Sequence, residues 1–334
     1  MCYNMVLVML SREVDAMNET KRSPLTRTPI VALVALICCM LWGSAFSGVK
    51  VGYRLIGIDA QDWASQMVFA GVRFLIAGVM AIVVGSIAER KVLLPTKTST
   101  PKFMVISLFQ TIFQYFFYYI GLAHTTGVKA AIIVAANVFT AILISSLLYR
   151  QEKLTAKKLI GCVIGFSGIV LVNAAGLEGG LHFSLLGDGF IFLCTVASGF
   201  SQVYMKRFSA TENPVLLSGW QFAFGGAVMW LFGAVCGGHM TLATPGAWAI
   251  LLYLSFVSAA AYSLWANLLK HNPVSKVTVF GFLNPMCGVI ISTIVLREDG
   301  AFGLPGFGAL LLVCLGILIV NRGNASGGKG TPSP

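Results

Sequence analysis

Arg73 stands about nine residues into an apolar stretch, 64–88, which at 1.5 Å per residue puts it about 13 Å deep in a hydrocarbon core about 30 Å thick. A cation at that depth costs about 3 kcal/mol or more unless it meets polar company. Its side chain must therefore face other helices or a cavity, either touching a substrate or hydrogen bonding to neighbouring carbonyls. In the stretch 102–122, Gln110, Gln114 and Tyr118 recur at i, i+4 and i+8 among phenylalanines, a single polar stripe that turns inward to line a cavity or to bond across helices. Ser198, Ser201 and Gln202 repeat the arrangement in 185–205, although serine also permits close helix packing. Asn137 and Asn284 hold equivalent mid-stretch positions, and Pro285 frees a carbonyl one turn earlier, which makes either a binding position or a kink needed only for packing. Trp42, Tyr262 and Trp265 offer faces for a planar or cationic molecule, if they are not simply core or interfacial aromatics. The chemistry on offer is reversible binding.

The elements that carry these residues follow from composition. Hydrophobic residues make up 57% of the 334, charged residues 10%, and mean hydropathy is +0.84, values of a polytopic membrane protein. Ten apolar stretches approach spanning length: 29–52, 64–88, 102–122, 126–148, 157–174, 185–205, 214–236, 246–268, 273–296 and 303–320. Continuous runs without period-2 alternation select helices over a closed barrel. The expected fold class is therefore all-α, with ten transmembrane helices.

The chain is also written twice. At an offset of 147, His124, Lys129, Asn137 and Arg150 fall on His271, Lys276, Asn284 and Arg297, and Tyr115 and Tyr118 fall on Tyr262 and Trp265. At 148, Gly71, Phe74 and Gly78 fall on Gly219, Phe222 and Gly226, and Gly168 falls on Gly316. Internal duplication of an apolar chain marks transporters, and two units of five spans each enter the membrane in opposite senses, as inverted-topology repeats. The predicted organisation is a cytoplasmic tail 1–28, a first repeat 29–174, an extracytoplasmic linker 175–184, a second repeat 185–320 and a disordered cytoplasmic tail 321–334. With both termini in the cytoplasm, seventeen Lys and Arg lie inside and only Arg54 and Arg297 outside. The net charge of +11 thus orients the protein in a bilayer and calls for no nucleic-acid partner.

Several features carry bland readings. The eight cysteines show no CxxC spacing and serve as small apolar fillers. Residues 1–16, apolar to Leu10 and too short to span, precede a more ordinary start at Met17. Gly161, Gly165 and Gly168 give small-residue spacing for helix packing, with a homodimer through this face as the other reading. Lys129 and Lys276 lie near stretch ends, where lysine snorkels. The four histidines sit in loops or at stretch edges, so neither a metal cluster nor a nucleophile–base pair is in view, and an enzyme or a receptor is a poor reading.

The chain resembles the EamA family of the drug/metabolite transporter superfamily. The resemblance rests on Trp42-Gly43-Ser44-Ala45-Phe46 with Lys50, on Arg73-Phe74, and on Arg150-Gln151-Glu152-Lys153-Leu154-Thr155. It rests further on Gly168-Ile169-Val170-Leu171, on Asn284-Pro285 and on Arg297-Glu298, and it covers Pro29 to Val320. It implies ten helices in two inverted repeats around a cavity lined by the first, third, fourth, sixth, eighth and ninth. It also implies export or exchange of a small metabolite or drug across the cytoplasmic (inner) membrane, without a cofactor. Val138 stands where the family often carries proline, and Glu152 is one residue off the register of Glu298. None of the 12 acidic residues lies deep in a stretch, which disfavours an intramembrane proton relay and favours exchange or facilitated export; a channel is the alternative. The buried cation tips the balance slightly toward a substrate with a carboxylate or phosphate.

Overall fold

In a computed structural model, residues 23–59, 61–125, 127–173, 184–296 and 304–327 are described, and among them every regular element is a helix. Local sequence sets many of the ends. Pro29 opens α1 (Thr28–Ile56), and Gly57, at φ 79, closes it in the left-handed conformation that glycine adopts without a Cβ penalty. Asp62 caps α2 (Trp63–Ala88), its carboxylate accepting from the Ser65 amide at 2.9 Å. Hydrogen bonds from the side chain and backbone of Ser65 hold the Asp62 carboxyl below the usual carboxylate range. Asn213 and Thr244 cap α9 (Pro214–Val235) and α10 (Pro245–His271), each followed by proline at the first helical position.

Six helices are long and apolar enough to cross a membrane: α1, α2, the run Ser99–Leu122, the run Leu185–Phe208, α9 and α10. The run from Ser99 is α3 (Ser99–Ser107), a π turn (Leu108–Phe113) and α4 (Gln114–Ala123); that from Leu185 is a π turn (Leu185–Gly189) and α8 (Phe190–Phe208). The fourth and ninth expected spans are broken. The fourth consists of α5 (Gly127–Ala135), α6 (Asn137–Leu143) and a π turn (Ile144–Leu148); the ninth of α11 (Val274–Thr278), a 3₁₀ turn (Val279–Phe282) and α12 (Leu283–Leu296). The remaining helices are α7 (Ala156–Asn173) and α13 (Leu304–Gly327). Large apolar side chains cover the outside: Val84 is 66% and Val235 79% exposed, a surface suited to lipid and not to water.

Two glycine-lined seams bring helices into backbone contact. A Cβ on Gly71 would sit 2.4 Å from the Trp230 amide nitrogen and 2.8 Å from Gly226 O, and one on Gly78 would sit 2.5 Å from the Ala223 nitrogen and 2.6 Å from Gly219 O. From the other side, a Cβ on Gly226 would meet Gly71 O at 2.7 Å. The contacts run in opposite directions along the two chains, so α2 and α9 are antiparallel. They also pair crosswise: Gly71, whose sequence equivalent is Gly219, packs on Gly226, and Gly78, equivalent to Gly226, packs on Gly219. The same pattern joins α7 to α13, where Gly161 would meet Gly316 O at 2.8 Å and Gly168 would meet Ala309 O at 2.7 Å.

Three expectations change. The glycine face of α7 is covered within the chain, by α13 at Gly161 and Gly168 and by the Phe282 ring at Gly165, so it is not free for a second copy. The helix α13 runs to Gly327, beyond the expected end at Val320, passing through Gly323. Lys276, half-buried, does more than snorkel: its Nζ donates to Thr26 O at 2.7 Å, tying α11 to the chain entering α1. Residues 1–16, Glu178, His182, Arg297 and Glu298 lie outside the described residues, as do the side chains of Lys129 and Phe46.

Neither backbone can yield to a side chain at the α2–α9 seam. Gly71→Val and Gly78→Val are therefore expected to destabilise the protein by about 1–3 kcal/mol each, the usual range of overpacking. Gly246→Ala, where the nearest atom would stand 3.6 Å away, should be neutral. Thermal unfolding in detergent reads both; a Gly71→Val protein melting like wild type would remove the seam from the account.

Candidate functional site

The breaks in the fourth and ninth spans place two asparagines in the interior. The helical ladder is interrupted at Ala136, so Asn137 starts a new segment; Thr140 Oγ1 holds the junction, bonding to Asn137 O at 3.0 Å and across to Thr195 O of α8 at 2.9 Å. In the ninth span Pro285 has no N–H for the Gly281 carbonyl, and the chain takes a 3₁₀ turn just before Asn284. The two broken spans touch each other, Gly281 packing near Val138. The ninth also lies tight against α1, where a Cβ on Gly43 would come 2.8 Å from Cys287 and Gly288. Asn284, one turn before Cys287, shares that face.

From Asn137 a chain of side-chain hydrogen bonds crosses three helices. Trp265 Nε1 of α10 donates to Gln202 Oε1 of α8 at 3.3 Å, and Gln202 Nε2 donates to Asn137 Oδ1 at 3.2 Å. Trp42 of α1 meets this chain edge-on, its ring centroid 5.0 Å from Trp265 and 5.1 Å from Tyr262. The hydroxyls of Tyr262 and Tyr115 lie 3.3 Å apart. Phe74 supports both, tilted against Tyr115 at 4.6 Å and stacked on Phe222, whose ring meets Tyr262 edge-on at 4.9 Å.

Arg73 lies on this aromatic group and is only 5% exposed. Its guanidinium carbon sits 4.4 Å from the Phe74 ring centroid, and its charge is within interaction range of Tyr53, Tyr115 and Tyr262. Its Nε has no hydrogen-bond partner. Five more buried polar atoms share that condition in this part of the bundle: Trp42 Nε1, the Tyr53 hydroxyl, Gln114 Oε1, Ser263 Oγ and Asn284 Oδ1. Each such atom costs about 1–3 kcal/mol against one that is bonded. Folded proteins keep few of them, so a cluster is informative. These are donors and acceptors that a bound molecule would satisfy.

The bundle end carrying Arg150 is organised differently, with its charges paired. Glu152 and Lys158 form a buried ion pair at 2.7 Å, their side chains 7% and 4% exposed. Glu152 also accepts from Ser145 Oγ at 2.7 Å, from the Ser275 amide at 2.9 Å and from the Ser275 hydroxyl, so one carboxylate bolts the fourth span to the start of the ninth. Gln151 Nε2 adds a bond to Val203 O, and Lys206 Nζ one to Lys270 O. At the opposite end Asp188 accepts from the Thr125 hydroxyl at 2.5 Å and from the Ser184 amide at 3.0 Å.

Of the residues singled out by sequence, Trp42, Asn137, Gln202, Tyr262 and Trp265 are joined directly, and Arg73 and Gln114 border the same aromatic group. Tyr118 packs against Tyr119 and into the cluster around Phe74. Gln110 is buried within the π turn, which breaks the 3.6-residue period that would align it with Gln114, and its neighbour Thr111 bonds to Gln221 of α9 at 2.7 Å. Ser198 is buried on α8, its carbonyl accepting from Ser201 Oγ at 2.8 Å, which is the packing reading of serine. Sequence reasoning passed over Tyr53, the Thr111–Gln221 pair and the Glu152 network. For Tyr115 the duplication held the signal, as the mate of Tyr262. No group of three His, Cys, Asp or Glu side chains among the described residues is placed to hold a metal.

Comparison with known proteins adds an independent line. The EamA-like transporter family profile matches residues 29–174 and 185–322. A protein named uncharacterized transporter YvbV, from Bacillus subtilis, is 26% identical over 304 residues, covering 90% of this chain and 93% of its own. An uncharacterized transporter from Archaeoglobus fulgidus is 24% identical over 87% of this chain and 98% of its own, and one from Acidianus ambivalens 28% identical over 79% and 99%. A solved structure titled only as a crystal structure of a protein superposes with a TM-score of 0.71 at 16% identity, over 89% of this chain, a likeness of fold.

The two kinds of polar residue are separable by stability. Gln202→Leu breaks both bonds of the Trp265–Gln202–Asn137 chain and should cost about 1–2 kcal/mol. Gln114→Leu and Asn284→Leu remove unpartnered atoms and should leave the melting temperature equal to or above wild type. Comparable losses in all three variants would make Gln114 and Asn284 structural. At the paired end, Glu152→Ala strands Lys158 and should cost about 3–5 kcal/mol, most of it recovered in Glu152→Gln with Lys158→Met.

Proposed function

From the membership of this chain in the EamA-like transporter family, we propose that it is a carrier that exports or exchanges a small molecule by alternating access. The chain is a membrane transporter. Its ten helical runs form ten crossings, arranged as two inverted repeats, 29–174 and 185–320. The crosswise glycine pairing supports this arrangement, since equivalent positions that meet each other's partners in antiparallel helices are what a two-fold axis in the membrane plane generates. The contact of Tyr115 with its own equivalent, Tyr262, fits a point on that axis.

The observation that carries the reading is the set of unpartnered polar atoms at the junction of the two halves, beside two broken helices. Broken helices at equivalent depths are where transporters of this architecture expose backbone and side chains to substrate. Substrate enters between Trp42, Tyr262 and Arg73, and the halves rock about the glycine seams. The Lys and Arg distribution orients both termini to the cytoplasm, in a cytoplasmic membrane. The Glu152 end is then the cytoplasmic gate, closed in this conformation, and its opening requires the Glu152–Ser275 bonds to part. A proton relay finds little support, because Asp188 and Glu152 lie at helix ends and are engaged in hydrogen bonds.

Orientation is tested with single cysteines in a background lacking the exposed Cys236 and Cys314. A membrane-impermeant maleimide applied to intact cells should label a cysteine at 239 and not one at 97 or 157; labelling at 97 would reverse the assignment. Carrier and channel separate in proteoliposomes loaded with a metabolite extract. A carrier should show saturable release accelerated by the same compound outside, and unsaturable flux without counterflow would replace the carrier by a channel.

A further inference from the structure

Resting on the carrier reading, we propose that the interior site is built for a monoanion, a small molecule whose carboxylate is held by Arg73 while a flat apolar body lies against Trp42 and Tyr262. The buried charged residues among those described are Arg73, Lys158 and Asp188, each under a tenth exposed as a whole residue. Lys158 is neutralised by Glu152, and Asp188 is bonded to Thr125 and Ser184. Arg73 differs from both. No ion pair or hydrogen bond joins its guanidinium to another described residue, and the side chains it interacts with are uncharged: Tyr53 on α1, Phe74 on α2, Tyr115 on α4 and Tyr262 on α10.

A guanidinium in that position is expensive to keep. Leaving it there with only ring faces for company makes sense when its counter-charge arrives with the ligand. The contact with Phe74 steadies the guanidinium without neutralising it, which leaves its fork of donors for a two-point grip on a carboxylate. The ligand's charge is set by counting: one cation balances one negative charge, and a phosphate dianion would leave a net charge in a site of low dielectric. The aromatic side, where Trp42 stands edge-on to Tyr262 and Trp265, gives the rest of the molecule a flat apolar wall, and the unpartnered Trp42 Nε1 adds a donor.

The test uses the purified full-length protein in nanodiscs and four probes: benzoate, its neutral isostere benzamide, benzylammonium and inorganic phosphate. Binding is followed by thermal shift and by quenching of tryptophan fluorescence. Benzoate should bind at least about tenfold more tightly than benzamide, as a hydrogen-bonded charge pair implies, with benzylammonium and phosphate weaker still. Arg73→Gln should erase the benzoate–benzamide difference while keeping benzamide binding, and Arg73→Lys should restore little of it, lacking the planar fork. If Arg73→Gln does not fold, the wild-type comparison of benzoate with benzamide decides alone. Equal binding of those two, tighter binding of phosphate, or no binding of benzoate to folded protein would each overturn the proposal. Saturable counterflow of an uncharged compound would leave the carrier standing and remove only the anion site; absence of counterflow for every compound would remove the carrier itself.

Discussion

Backbone contact along the α2–α9 and α7–α13 seams is the constraint on which the other features depend. In lipid, apolar side chains gain nothing from meeting each other over meeting acyl tails, so association rests on close packing and on polar contacts. Glycines supply the first by letting main chains approach to distances that any Cβ would block, as at Gly71 against Trp230 and Gly161 against Gly316. Each seam joins a helix of the first half of the sequence to its equivalent in the second. One pattern of small residues therefore packs equivalent helices from the two halves of the sequence against each other, and the interior beside them is lined by residues of both.

That interior divides polar groups by position. Toward the ends of the bundle the carboxylates are satisfied in multiples, Glu152 accepting from two serines and a lysine and Asp188 from a hydroxyl and an amide. Along the Trp265–Gln202–Asn137 chain they are satisfied singly. Around Tyr262 they are left with atoms unpartnered. Unpartnered atoms also occur toward the Arg150 end, at Ser146, Ser218, Thr278 and Asn321, but those near Arg73 and Tyr262 stand beside a buried cation that has no counter-charge. Keeping them there costs stability, which a bound molecule able to satisfy them would offset.

Much of this was legible in the sequence because duplication and hydrophobicity are long-range averages. The apolar character of the stretches and their helical nature required only composition, and the equivalence of Asn137 and Asn284 required only the offset. The failures were local. Gln110, Gln114 and Tyr118 form a stripe only if the helix keeps 3.6 residues per turn; the π turn at Leu108–Phe113 spoils that assumption, and nothing in the residue types Leu, Phe, Gln, Thr, Ile and Phe announces it. The Glu152 network was invisible for another reason: it joins residues 123 apart in sequence, and a glutamate in a basic loop looks like a solvated charge until the fold buries it. The α7 glycines were correctly seen as a packing face, but which helix would cover it is a tertiary fact.

Arg73 and Phe74 show how one short sequence serves both halves of the design. Phe74 faces α9, stacked on its own equivalent, Phe222, with ring planes only 2° apart, and so belongs to the seam. Arg73, the preceding residue, is turned about 100° around the helix by the 3.6-residue period and lies within interaction range of α1, α4 and α10. The seam thereby sets the depth and direction of the cation, and the same ring that packs the halves together steadies the guanidinium beside it. A rocking motion of one half against the other about these seams would move Arg73 little while the helix ends travel furthest. In the carrier proposed above, such a motion would keep Arg73 at the centre while the ends part in turn.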